Sequence, residues 1–112
     1  MSSFQKYKID PALYLEVAKI RAKKAGYDPD LLKLSEKKEY KLAYDGVNFG
    51  RHPYPDFIIY SILAKDSDAP EKYTTEYARQ KRTAYLKRSG LIKGDWKRDP
   101  KSPNNLARSI NW

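Results

Sequence analysis

Cysteine is absent from the 112 residues and histidine occurs once, at His52. The first absence excludes a disulfide scaffold, a thiolate-held zinc or iron–sulfur site and thiol catalysis; the second leaves little room for imidazole chemistry. No apolar stretch approaches the roughly 18–20 residues that span a bilayer, so no membrane span is expected. The opening MSSFQK lacks the apolar segment of a secretory leader, and secretion is not expected either. Carboxylates are scarce where metals would need them. Asp66 and Asp68 read as a solvated connector and Asp28-Pro29-Asp30 as a capped turn, so no metal site and no cofactor are expected. The five glycines form neither a dinucleotide nor a P-loop fingerprint, and Gly46-Val-Asn-Phe-Gly50 is better explained by turn geometry. A catalytic role for His52 lacks a convincing nucleophile beside it, and packing within its Pro-flanked loop is the simpler reading. The chain is not expected to be an enzyme.

What is present is aromatic mass and segregated positive charge. Ten Tyr, three Phe and two Trp supply enough large apolar surface for a folded domain despite 33% charged residues. Residues 1–78 hold 13 Lys and Arg against 12 Asp and Glu, whereas residues 79–112 hold 10 against two, a balance of +8. Solubility alone does not require such segregation, so the C-terminal third is expected to meet an acidic partner. The candidate partner- or phosphate-binding residues are Arg79, Arg82, Lys87, Arg88, Lys93, Trp96, Lys97 and Arg98. Trp96 can serve there as an internal anchor or as a stacking platform, whereas Tyr77 and Tyr85, on one helical face, read as core.

Local patterns predict an α+β, mostly helical fold: three or four helices packed around one small β-hairpin, in a single domain over residues 1–112 with an N-terminal arm at 1–9. Asp10-Pro11 is a cap-and-start pair for a helix ending near Gly26, with Leu13, Val17 and Ile20 as its apolar stripe, backed by Tyr14, Ala18 and Ala25. Tyr40, Leu42 and Tyr44 alternate with polar or small residues before Asp45-Gly46, which predicts a hairpin over about 39–50. Asp56 caps an apolar helix over 57–64, expected at the centre. A longer helix is expected from Glu71 to Ser89, and Ser102-Pro103 opens a last short one.

The stretches AGYDPDLL (25–32), KLAYDGVNFG (41–50), Asp56-Phe57 with Tyr60, KRTAYLKR (81–88), IKGDW (92–96) and SPNNLA (102–107), with the final Trp112, form one pattern. It resembles a small uncharacterised protein family encoded by large DNA viruses of algae and amoebae, over residues 21–112. One departure is visible: Asn111 stands where the pattern has an apolar residue before the Trp. The resemblance implies a viral origin and carries over no activity or catalytic residue. It leads to the expectation of a non-enzymatic structural protein, a minor capsid or capsid-lining component whose basic C-terminal third docks on acidic surfaces of other virion proteins. Its place would be the virion, and the host cytoplasm or virus factory during assembly. The alternative expectation is a sequence-independent nucleic-acid-binding protein of such a virus.

Overall fold

Capping side chains set the helix starts in the computed structural model, which describes residues 2–112. Helix α1 (Ser3–Tyr7) opens on a Ser2–Gln5 capping box, and α2 (Pro11–Lys24) on Asp10, whose carboxylate accepts from the Ala12 N–H at 3.0 Å. Strands β1 (Leu32–Leu34), β2 (Tyr40–Tyr44) and β3 (Val47–Arg51) form an antiparallel sheet in that order. Helix α3 (Phe57–Ala64) is capped by Asp56 and α4 (Thr75–Ser89) by Thr74. A 3₁₀ turn (Asp95–Arg98) leads to α5 (Pro103–Leu106), which runs into a π-helical turn over Ala107–Asn111. The fold is α+β and mostly helical.

The expected hairpin is present. Asp45 and Gly46 both hold positive φ (47° and 83°), as a two-residue turn of this hand requires. It gains a third strand, because Leu32–Leu34 lies against Leu42–Tyr44 with Leu34 opposite Leu42. Asp28-Pro29 opens a 3₁₀ turn over Pro29–Leu31, and the apolar run continues past it as this sheet edge. Both faces of β2 are covered: Lys41 through Tyr44 are all buried. The 57–64 helix is central, as expected, with Ile58 and Ile59 fully buried.

Three expectations need correction. Within the expected N-terminal arm, residues 2–9 pack onto the domain, since Ser3 and Ile9 are buried and Phe4 packs edge-on against Tyr14. The buried face of α2 is Tyr14, Ala18 and Ala22, while Leu13 and Ile20 are 41% and 52% exposed. Tyr14 turns inward because its hydroxyl finds Asp56, and the two alanines allow α2 to lie close to the C-terminal turn, where Arg21 Nε donates to the Ile110 carbonyl at 2.7 Å. Finally, α4 begins four residues later than expected. Residues 70–74 form a turn with the Tyr73 N–H on the Pro70 carbonyl, and the Thr74 hydroxyl then accepts from the Tyr77 N–H at 3.0 Å.

At the centre lies a buried polar knot. Asp56 Oδ1 accepts from the Ile59 N–H, and Oδ2 accepts from the Tyr14 hydroxyl, from Lys41 Nζ at 3.1 Å and from Asn111 Nδ2 at 3.3 Å. The Lys41 and Asp56 side chains are 2% and 1% exposed. Asn111 Nδ2 also donates to the Tyr14 oxygen at 2.7 Å. Since Tyr14 gives its proton to Asp56, only the amide nitrogen of Asn111 can face both groups, which fixes its orientation. Burial, and then the Asp56 charge, push the Tyr14 phenol well above its ordinary range, so it stays a donor.

His52 fastens the first helix to this centre. Its Nδ1 accepts from the Ser3 N–H at 2.8 Å, and its ring meets Phe4 edge-on. The imidazole is therefore neutral with its proton on Nε2. Burial, and then the charge of Lys41, lower its pKa below 6.5. A group held neutral in the fold contributes stability that is complete above the unfolded pKa and is lost as pH falls through it toward the folded value. The stability gap between wild type and His52→Gln is accordingly expected to narrow between about pH 7.5 and about pH 5.5. Urea midpoints at the two pH values measure it, and a gap that stays constant would sink the acceptor role of Nδ1.

Candidate functional site

The eight residues singled out from sequence do not form one surface. Arg82 is committed to the fold: its Nε donates to the Trp112 carbonyl at 2.6 Å, and its guanidinium lies 5.8 Å from the Phe57 ring centre. Trp96 is an anchor. It is half-buried, its indole N–H donates to the Ile92 carbonyl at 2.7 Å, and its own carbonyl accepts from Ser102 Oγ and Asn105 Nδ2. The Arg108 guanidinium packs on its ring at 5.5 Å, while Nη1 donates to the Leu86 carbonyl. Arg79 and Lys87 are exposed along α4, and Lys93, Lys97 and Arg98 are exposed beyond it. None of these five has a carboxylate within ion-pairing distance among the described residues, where the ion pairs are Lys41–Asp56 and Lys101–Asp45.

Arg88 belongs elsewhere. With Lys81, Ala84 and Tyr85 it lies on one flank of α4, as spacings of three, four and seven residues place side chains on one helical face. That flank forms a wall of a cleft of about 650 Å³. The opposite wall is β2, β3 and the following loop, with Tyr40, Arg51 and Tyr54, and the floor includes Lys41, Gly50 and Asn111. Trp112 joins the helix wall by stacking on Tyr85, with ring centres 4.2 Å apart and planes 8° from parallel. Trp112 is held in turn by its N–H on the Ala107 carbonyl and by Arg82 on its own carbonyl. The C-terminal turn is thus pinned from α4, α2 and the polar knot together.

The lining contains no Asp, Glu, His, Cys, Ser or Thr. Its charged residues are all cationic: Lys41, which is spent on Asp56, and Arg51, Lys81 and Arg88, which have no carboxylate partner among the described residues. All three lie by aromatic rings: Arg51 at 5.9 Å from the centre of Tyr40 and Arg88 at 5.8 Å from that of Tyr85, both rings on the cleft, and Lys81 at 5.3 Å from that of Tyr77, outside the lining. Burial raises the Tyr85 phenol above its ordinary range, and burial followed by the neighbouring Tyr77 pushes Tyr60, also on the cleft, up to about 12. Both remain neutral donors at physiological pH. The cleft can hold an anion and a flat ring, but it offers no carboxylate–histidine pair or activated nucleophile for general acid–base or covalent chemistry.

Comparison with protein-family models, with curated proteins and with solved structures finds no match to this chain. The site therefore rests on its own geometry. Sequence reasoning missed Arg51, Tyr54, Asn111 and Trp112 as its parts. The one available signal was the density of proline, aromatic and cation in Arg51-His-Pro-Tyr-Pro55, which drew attention only to His52.

No helix among the described residues is long and apolar enough to cross a membrane. Among the same residues no group of His, Cys, Asp and Glu is arranged to hold a metal ion.

Proposed function

We propose that this chain is a non-enzymatic structural component of a virus particle, a minor capsid or capsid-lining protein that docks on an acidic neighbour. The observation that supports it is the row of exposed cations, Arg79, Lys87, Lys93, Lys97 and Arg98, without carboxylate partners among the described residues. Unpaired charge of one sign on an ordered scaffold steers an oppositely charged surface and fixes its register. The viral setting comes from the sequence resemblance. Trp96 drops out of the docking set, because its indole N–H is used internally, and Arg82, whose Nε is used the same way, keeps only its terminal guanidinium nitrogens for docking.

A second reading, nucleic-acid binding, is favoured by one specific observation: cations beside aromatic rings around the cleft. Mass spectrometry of purified particles after carbodiimide treatment, which joins lysine amines to carboxylates, separates the two. The protein is expected in the particles, with Lys87, Lys93 or Lys97 linked to Asp or Glu of a neighbouring protein. Absence from particles in which other small proteins are well covered would overturn the structural reading. Ultraviolet links to the genome without carbodiimide links to protein would replace it with the second.

A further inference from the structure

We propose that the cleft between α4 and the β2–β3 sheet is a nucleotide-binding site, with a base against its aromatic walls and a phosphate among Arg51, Lys81 and Arg88. The inference goes beyond the docking reading, since it uses a different flank of α4 and different cations.

Five observations converge on this ligand. The three cations border one concavity that carries no carboxylate, so the occupant is an anion. Arg51 and Arg88 each lie by a tyrosine ring, on opposite walls, so charge recognition and a flat hydrophobic surface coincide on both sides. Tyr54 on the sheet side is 66% exposed, although large apolar rings are ordinarily covered. The volume, about 650 Å³, is that of a small-molecule site and admits a nucleotide or two but no duplex. Finally, Asn111 on the floor has a buried Oδ1 with no hydrogen-bond partner, while its Nδ2 is fully used. An acceptor without a donor favours a ligand that carries amino or imino hydrogens, as the bases do and a bare phosphate or sulfate does not. Phosphate recognition here rests on side-chain cations, and the missing glycine-rich fingerprint is no obstacle to it. Stacking plus side-chain cations is also how unpaired strands are held, so the nucleotide can be free or part of a single strand.

Calorimetric titration of the full chain with AMP, adenosine, inorganic phosphate, a single-stranded hexamer of deoxyadenylate and hexaglutamate tests the proposal. AMP or the hexamer is expected to bind saturably, with adenosine and phosphate each about tenfold weaker or worse. Arg51→Glu and Arg88→Glu are each expected to weaken that binding by about tenfold or more without changing the melting temperature, since both side chains are exposed, while Arg79→Glu leaves it unchanged. A hexamer that binds much more tightly than AMP identifies the source as a strand, and the reverse order identifies a free nucleotide. No saturable binding of either at millimolar concentration would overturn the site. So would binding indifferent to both cleft substitutions. Hexaglutamate binding as tightly as the nucleotides, with the same sensitivity to Arg51 and Arg88, would reassign the cleft to acidic peptide. None of these outcomes depends on whether the protein is found in particles.

Discussion

Replacing Asp56 by Ala is expected to lower the free energy of unfolding by about 3–5 kcal/mol, the largest effect of any single change considered. The substitution leaves the Lys41 ammonium buried without its counter-charge and removes the acceptor shared by Tyr14 and Asn111. It also deletes the cap of α3, where Asp56 Oδ1 holds the Ile59 N–H at 3.0 Å. Lys41→Met is expected to cost less. The carboxylate then keeps three donors, from Tyr14, Asn111 and the Ile59 N–H, and the methionine fills the vacated space with apolar atoms. Urea unfolding gives both values, and an unchanged dependence on denaturant would show that stability alone has moved. A loss below about 1 kcal/mol for Asp56→Ala, the size of a surface pair, would show that water reaches the knot.

Gly50→Ala is expected to cost about 3 kcal/mol, from a backbone held at positive φ together with overpacking. Gly50 has φ +74°, and an added methyl would sit 2.8 Å from Asn111 Nδ2 and 3.1 Å from its Oδ1. Asn111 cannot retreat, because its amide nitrogen is held by Tyr14 and Asp56. Gly46→Ala serves as the comparison. Its φ is similar, +83°, but nothing lies within 4 Å of the new methyl, so only the backbone strain of about 1 kcal/mol is expected. Midpoints of urea or thermal unfolding for the two variants measure the difference. Equal losses would mean that the Asn111 amide shifts aside freely.

Features carried by neighbours in sequence were legible. Asp10-Pro11, Asp45-Gly46, Asp56 before its apolar run and Ser102-Pro103 each mark a terminus or turn through contacts two or three residues long, and each does so in the structure. What failed depended on partners far away. The apolar spacing of α2 pointed to Leu13, Val17 and Ile20, yet the buried face is rotated by one residue because Tyr14 binds an acid 42 residues on. Lys41, on an alternating strand, reads as a solvent-facing cation until Asp56 is seen beneath it. The candidate site was half legible for the same reason. Charge counting finds the basic third, but it cannot tell Arg82, bound to the Trp112 carbonyl 30 residues away, from Arg79, bound to no carboxylate. Nor can it join Arg51 to Arg88 across a cleft assembled from four segments. Asn111 is the residue that closes the knot.

That closure also makes the core discontinuous along the chain. Asn111 reaches back 97 residues to Tyr14 and 55 to Asp56, and the carbonyls of Ile110 and Trp112 complete the bonding of Arg21 and Arg82. Without that short turn the aspartate–lysine pair is short of one donor and two arginines are short of their acceptors, so cleavage ahead of residue 110 takes away part of the core and not merely a tail.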